Sequence, residues 1–285
     1  MTDSLQVPAP TWFVGCGNMG GAVLDGWRVG GVDLSPVTVI RPSGKAVEGT
    51  RVVTDLAEAG APPTMAVLAF KPQKLDEIAP ELRQRLSART IVVSLLAGVE
   101  VSSLRQRLPN VGAVVRATPN LPVAIRRGVT GLYSDTADEA ERREVGDLFA
   151  ALGFAMWMAD ESKLAALGAV AGAGPAYVAR FIDALTKAGV QRGLTEDIAG
   201  TIARETVLGT AWLAASTGEN MDSVARRVAS PNGTTEAGLA VLDGDERVLD
   251  RLIQATIDAA ARRGRQLADE AKASSATLAE ATRLH

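Results

Sequence analysis

The sequence predicts an α/β chain: a doubly wound, mainly parallel sheet over residues 1–160, followed by an all-α domain over residues 161–285. Three observations predict it. Apolar runs of strand length alternate with helical patterns between residues 11 and 158. Strand signals stop after Asp160, and helical runs fill the rest. A glycine-rich loop at residues 15–20 joins the first strand candidate to the first helical run. The length, 285 residues, suits two domains at roughly 150 residues each.

Residues 11–14, 37–40, 64–70, 90–95, 111–116, 129–133 and 154–158 are the strand candidates. A helix follows the glycine loop over residues 21–28. Leu75, Ile78, Leu82 and Leu86 recur every three or four residues and give one helix a core face. Residues 137–152 form another helix, with Gly153 as its expected C-cap. Strands alternating with helices mean βαβ units. In the second domain, helices are expected over residues 162–170, 175–192, 196–216, 221–229 and from about 246. Pro175 suits a first turn, Thr195 offers a capping hydroxyl, and Glu196 and Asp197 suit the positive end of a helix dipole. Gly193 marks the end of the preceding helix. The uncharged stretch 164–179 is read as a buried helix–turn–helix, too short and weakly apolar to cross a bilayer.

Scarcity narrows the chemistry. There is one histidine, His285, the last residue, and one cysteine, Cys16. An intrachain disulfide is excluded, so a reducing compartment, the cytoplasm, is expected. Zinc sites built from Cys and His, and catalysis through an internal histidine, are excluded too; no metal site is expected. The net charge is −3 with no long run of one sign, which offers no footprint for nucleic acid or an anionic membrane. Residues 1–10 hold Asp3 and no basic residue, unlike a secretory signal.

The loop Gly15-Cys16-Gly17-Asn18-Met19-Gly20 fits G-x-G-x-x-G between a strand and a helix, the context of a Rossmann-type dinucleotide site. The first glycine permits the tight turn, the second lets a pyrophosphate approach the backbone, and the third lets helix and strand pack closely. At the end of the second strand, an NAD site would place an acid. Arg41, Ser43 and Lys45 stand there instead. They suit a 2′-phosphate and favour NADP(H), with NAD(H) left open; ordinary solvated charge is the alternative reading of Arg41 and Lys45. Cys16 reads as a small residue that fits beneath a cofactor, because no base stands near it.

Several segments together resemble the pyrroline-5-carboxylate reductase family. They are the glycine loop; Ala69-Phe70-Lys71-Pro72; Ser94-Leu95-Leu96-Ala97-Gly98-Val99; Val115-Arg116-Ala117-Thr118-Pro119-Asn120; Gly172-Ala173-Gly174-Pro175-Ala176-Tyr177; and Ser230-Pro231-Asn232-Gly233-Thr234-Thr235. The resemblance runs in order over residues 11–270. It implies a Rossmann domain followed by a helical dimerisation domain, in a homodimer or a larger assembly of dimers. It also implies NADPH-dependent reduction of 1-pyrroline-5-carboxylate to L-proline. Gly15, Gly17, Asn18, Met19, Gly20, Arg41, Ser43, Ala69, Lys71, Pro72, Ala97 and Gly98 are then the expected cofactor-binding residues. Ser230, Asn232, Gly233, Thr234 and Thr235 are the expected substrate-binding residues, with Thr235 also a weak general-acid candidate. Lys71 reads equally as a structural lysine, and the 230–235 segment as a capped turn. The chain departs from the family pattern at Leu56, Thr118, Leu121 and Met221. The alternatives are a related imine or β-hydroxyacid reductase, which assays on those substrates would reveal, and a non-catalytic dinucleotide-binding protein.

Overall fold

The computed structural model describes residues 5–244 and 246–283, with side chains given up to residue 270. Met1–Ser4 and His285, on which two of the sequence expectations fall, lie outside the described residues. The elements in chain order are β1 (Thr11–Val14), α1 (Asn18–Val29), β2 (Val37–Ile40), β3 (Arg51–Val53), β4 (Met65–Leu68), α2 (Leu75–Arg85), β5 (Ile91–Ser94), α3 (Val101–Arg107), β6 (Ala113–Pro119), β7 (Gly128–Tyr133), α4 (Glu139–Ala150), β8 (Gly153–Trp157), α5 (Glu161–Leu167), α6 (Gly174–Gln191), α7 (Glu196–Thr217), α8 (Met221–Val228), α9 (Thr234–Asp243) and α10 (Val248–Arg283). Two compact units result: one runs up to Ala173 and resumes at Ala260, and the other is Gly174–Ala259.

The first unit is an eight-stranded sheet in the order β3-β2-β1-β4-β5-β6-β7-β8. Its strands pair in parallel except β6 with β7. The exception follows from chain length. Only residues 120–127 connect those two strands, too few for the dozen or more that a parallel crossover needs. Alternate side chains supply two cores, one on each face. Phe13 joins Trp27, Leu148 and Phe149 on one face, and Trp12 and Val14 join Leu82 and Leu104 on the other. The predicted face of α2 agrees, with Leu75 and Leu82 buried.

The structure differs from the local sequence pattern at several points. Gly153 is not a C-cap: Ala151 caps α4, and Gly153, at φ +135, opens β8. A Cβ there would meet the Gly128 carbonyl oxygen at 2.3 Å, so close strand pairing explains the glycine. β3 escapes the sequence because it is three residues long and only Val53 is buried. The short α3 also carries too little periodicity to be read.

The second unit is helical. Gly189 lets α6 and α7 approach closely, since a Cβ there would lie 3.2 Å from the Ala199 Cβ. Thr195 occupies the N-cap of α7, but its side chain makes no capping hydrogen bond. Gly193 takes φ +97 at the turn between the two helices. Residues 164–179 are not a buried helix–turn–helix. They form the end of α5, a π-helical turn over Gly168–Gly172 and the start of α6, a helix with no buried residue in the single chain. By length and composition alone, the longer span Glu161–Gln191 is sufficient to cross a membrane. Arg180, Asp183 and Lys187, however, form an ion-pair ladder on α6.

Candidate nucleotide-binding site

Strand order reverses between β1 and β4, and both strands end at the same edge. In open α/β sheets, ligands bind in the crevice at that point. The loop after β1 and the segment Ala69–Pro72 after β4 meet there.

The three glycines of the loop stand in three different environments. Gly15 has φ +82, and a Cβ would meet the Phe70 amide nitrogen at 2.8 Å and the Ala69 carbonyl at 2.9 Å. Gly20 is buried, and its Cβ would lie 2.9 Å from the Phe13 ring and 3.0 Å from the Ala69 Cβ. Gly17, the N-cap of α1, has nothing within 4 Å of such an atom. Two glycines therefore close the loop onto β1 and β4, and the middle one opens to solvent. That is the arrangement a pyrophosphate needs. No acid occupies the first turn of α1, and the first helical amide bond closes from Gly21 to the Gly17 carbonyl at 2.8 Å. The amides of Asn18, Met19 and Gly20 thus lie in the first turn with no carbonyl of their own helix to bond, and the helix dipole adds to their attraction for an anion. A dinucleotide phosphate fits this cradle.

Cys16 lies half-buried in the loop. Burial pushes its thiol pKa up, Arg41 opposes that shift, and Asp25 adds to it. The thiol is thus a neutral packing group. Arg41 follows β2 directly, its amide bonding the Val53 carbonyl at 2.9 Å. It begins a turn closed by the Gly44 amide on the Arg41 carbonyl, with Ser43 and Lys45 exposed. Leu56 is buried in the second core, beginning a single helical turn that Asp55 caps, so this departure from the family pattern serves packing.

Lys71 is exposed and takes part in no ion pair among the described residues. Pro72 begins a single turn leading into α2. After β5, the chain turns at Ala97 and Gly98; Gly98 has φ +77 and backs closely onto Leu267 and Ala268 of α10. The structure therefore brings Gly15, Gly20 and Ala69 into contact, places Gly17, Asn18 and Met19 at the start of α1, and sets Arg41, Ser43, Lys71, Pro72, Ala97 and Gly98 in the segments that follow β2, β4 and β5.

The remaining candidates belong to the second unit. Asn232 adopts φ +59, a conformation asparagine tolerates better than most residues. Its amide bonds the Glu236 carboxylate at 2.6 Å, and the Gly233 amide bonds the Ser230 carbonyl at 2.9 Å. A Cβ on Gly233 would strike Ser230 Oγ at 2.4 Å. α9 starts at Thr234 with no side-chain cap, leaving first-turn amides and the Thr234 and Thr235 hydroxyls for an anion, against which the Glu236 carboxylate in the same turn works. Met221 opens α8 behind an Asn220 cap, the first-turn position where a proline is also accommodated.

A supporting constellation was not read from the sequence. Arg116 of β6 is 8% exposed and bonds Glu161 at 2.7 Å. Asn120 is buried, accepts the Val129 amide at 2.8 Å and donates to the Ala171 carbonyl at 3.1 Å. An arginine inside the apolar run Val114-Val115-Arg116 was the available signal, because a buried cation requires a carboxylate partner.

Comparison with known proteins places these features. Residues 161–267 match the family model for pyrroline-5-carboxylate reductase dimerisation, and residues 12–98 match that for NADP oxidoreductase, coenzyme F420-dependent. The chain is 34% identical to a pyrroline-5-carboxylate reductase of Pseudomonas aeruginosa over 90% of its own length and 96% of the relative's. It is 38% identical to that of Synechocystis, over 68% of this chain and 72% of the relative. The solved structure of a Coxiella burnetii pyrroline-5-carboxylate reductase superposes with a TM-score of 0.82 at 29% identity, covering 92% of this chain and 99% of that one. A Plasmodium falciparum enzyme solved with NADP bound shares the fold, with a TM-score of 0.82 at 22% identity, covering 91% of this chain and 98% of that one. This chain belongs to the pyrroline-5-carboxylate reductase family.

Proposed function

We infer that the chain reduces 1-pyrroline-5-carboxylate to L-proline, adding a hydride from NADPH to the imine carbon and a proton to the nitrogen. The observation that carries this reading is the phosphate cradle at the β1/β4 crevice, in a chain whose following residues match the dimerisation domain of that reductase family.

Each residue has a role in this reading. The amides after Gly17 hold the pyrophosphate, and Gly15 and Gly20 hold the loop against β1 and β4. Arg41 and Ser43 receive the 2′-phosphate, which selects NADPH over NADH. Ala69, Lys71, Pro72, Ala97 and Gly98 receive the nicotinamide half at the ends of β4 and β5. Ser230, Asn232, Gly233 and Thr234 hold the substrate carboxylate, and Thr235 bonds the imine nitrogen. No strong acid is required, because a cyclic imine is basic enough to bring its own proton and its iminium form accepts hydride readily. A carbonyl substrate would ask for a stronger acid beside it.

The chain acts as a homodimer or an assembly of dimers in the cytoplasm. Supporting the assembly are apolar side chains that α6 and α7 leave exposed, including Phe181 at 52% and Leu208 at 58%. The test is NADPH oxidation by the purified protein with 1-pyrroline-5-carboxylate, run in parallel with NADH. Faster turnover with NADPH is expected, and no turnover with either cofactor would refute the assignment.

A further inference from the structure

The turn after β5 is held at both ends by side chains from outside it. At its start, Ser94 Oγ accepts the Leu96 amide at 3.3 Å. At its far end, the Val101 amide donates to Glu161 Oε1 at 2.8 Å. Glu161 opens α5, remote in sequence, and the same oxygen receives Arg116 Nη1 at 2.7 Å. Arg116 is itself fixed in the sheet, paired with Ser94 on β5 and Tyr133 on β7. Val101 is the first residue of α3, so its amide has no carbonyl of its own helix to bond, and Glu161 takes it. Arg107 at the other end of α3 is tied to Asp76 of α2 at 2.5 Å. Between the two anchors lie Ala97 and Gly98.

We propose that Glu161, oriented by Arg116, is a positioning residue for the nicotinamide half of the cofactor: it fixes the 96–100 turn against which that ring rests. This rests on the reading of Ala97 and Gly98 given above. Three features favour a positioning role over simple stability. The carboxylate bonds the backbone amide of Val101, the residue that directly follows the turn. It is drawn from a different element by a buried cation. The turn it anchors contains a glycine at φ +77 that has no slack, with Leu267 Cβ 3.1 Å from where a side chain would begin.

The cleanest probe is Val101→Pro. It deletes the backbone N–H that Val101 donates to Glu161 and leaves the Arg116–Glu161 pair intact. Proline suits the first helical position, and the extended backbone of Glu100, at φ −78 and ψ 158, suits the residue before a proline. The second variant, Arg116→Met with Glu161→Leu, replaces the whole pair with apolar groups of similar volume, which commonly preserves folding. Each folded variant is titrated with NADPH and with adenosine 2′,5′-bisphosphate, which carries only the adenine half. Single-turnover oxidation of bound NADPH by 1-pyrroline-5-carboxylate is then measured.

The expected result is bisphosphate affinity at the wild-type level, with NADPH bound up to about tenfold more weakly, as the lost anchor bond to a charged group is passed on to the seating of the ring. Hydride transfer is expected to slow by up to about a hundredfold, as small misplacements of reacting groups do. Both ligands weakening in parallel, or neither changing, would overturn the proposal. Wild-type protein that binds NADPH but reduces no imine would overturn the substrate reading instead, and the titrations would still decide the role of Glu161. Wild-type protein that binds neither ligand would overturn both.

Discussion

Adding one methyl group at Gly17 puts a carbon where the structure has nothing within 4 Å. The backbone there, φ −84 and ψ −162, is open to alanine. The folded state loses only the N-cap preference for glycine over alanine, at most about 1 kcal/mol. In a chain of this size that lowers the melting temperature by a few degrees. The cost to binding is larger. The new methyl occupies the space through which a pyrophosphate reaches the first-turn amides, and losing one charge-assisted hydrogen bond removes about 1.5–3 kcal/mol. The dissociation constant for NADPH should therefore rise about tenfold to a hundredfold. Gly15→Ala supplies the contrast. It forces a side chain onto φ +82, costing about 1–2 kcal/mol. It also drives a Cβ to within 2.8 Å of the Phe70 amide, an overpacking cost of about 1–3 kcal/mol. Calorimetric titration with NADPH, with thermal melting in the absence of cofactor, separates the two. The reasoning is refuted if Gly17→Ala binds NADPH as wild type does, or if it melts as low as Gly15→Ala.

Three further outcomes are expected. Arg41→Ala should weaken NADPH binding by about 1.5–3 kcal/mol and leave NADH unchanged; equal losses for both would remove Arg41 from 2′-phosphate recognition. Cys16 should alkylate slowly at neutral pH and react only as the pH rises above the ordinary thiol range, because burial raises its pKa and only the thiolate reacts. Labelling as fast as that of free cysteine at neutral pH contradicts this. Thr235→Val should raise KM or lower kcat for the imine while NADPH affinity stays unchanged, and steady-state kinetics that match wild type would exclude the hydroxyl from the site.

Much of the sheet was legible because buried parallel strands read as apolar runs. Residues 11–14 and 37–40 carry that signal and became β1 and β2 with those limits. The glycine loop was legible for a sharper reason: its spacing encodes three separate steric requirements, and Gly15, Gly17 and Gly20 each meet one. What failed to appear in the sequence depended on distant partners. Gly153 has the composition of a helix stop, yet it is a glycine because the Gly128 backbone presses against it. The Arg116–Glu161 contact joins residues far apart in sequence, and no local pattern couples them. The apolar content of α6 suggested burial, but the single chain leaves that helix exposed. The candidate residues divide likewise. Those on the glycine loop follow from local geometry. The choice of imine substrate came through the resemblance at residues 230–235, where the structure adds exposed first-turn amides and hydroxyls.

The central claim is that this chain transfers hydride from NADPH to a cyclic imine. The most direct measurement is the loss of NADPH absorbance when purified protein meets 1-pyrroline-5-carboxylate, with L-proline quantified in the same reaction. The account requires NADPH consumed and proline formed in equal amounts, faster than with NADH. NADPH bound in the cradle with no proline formed would contradict it.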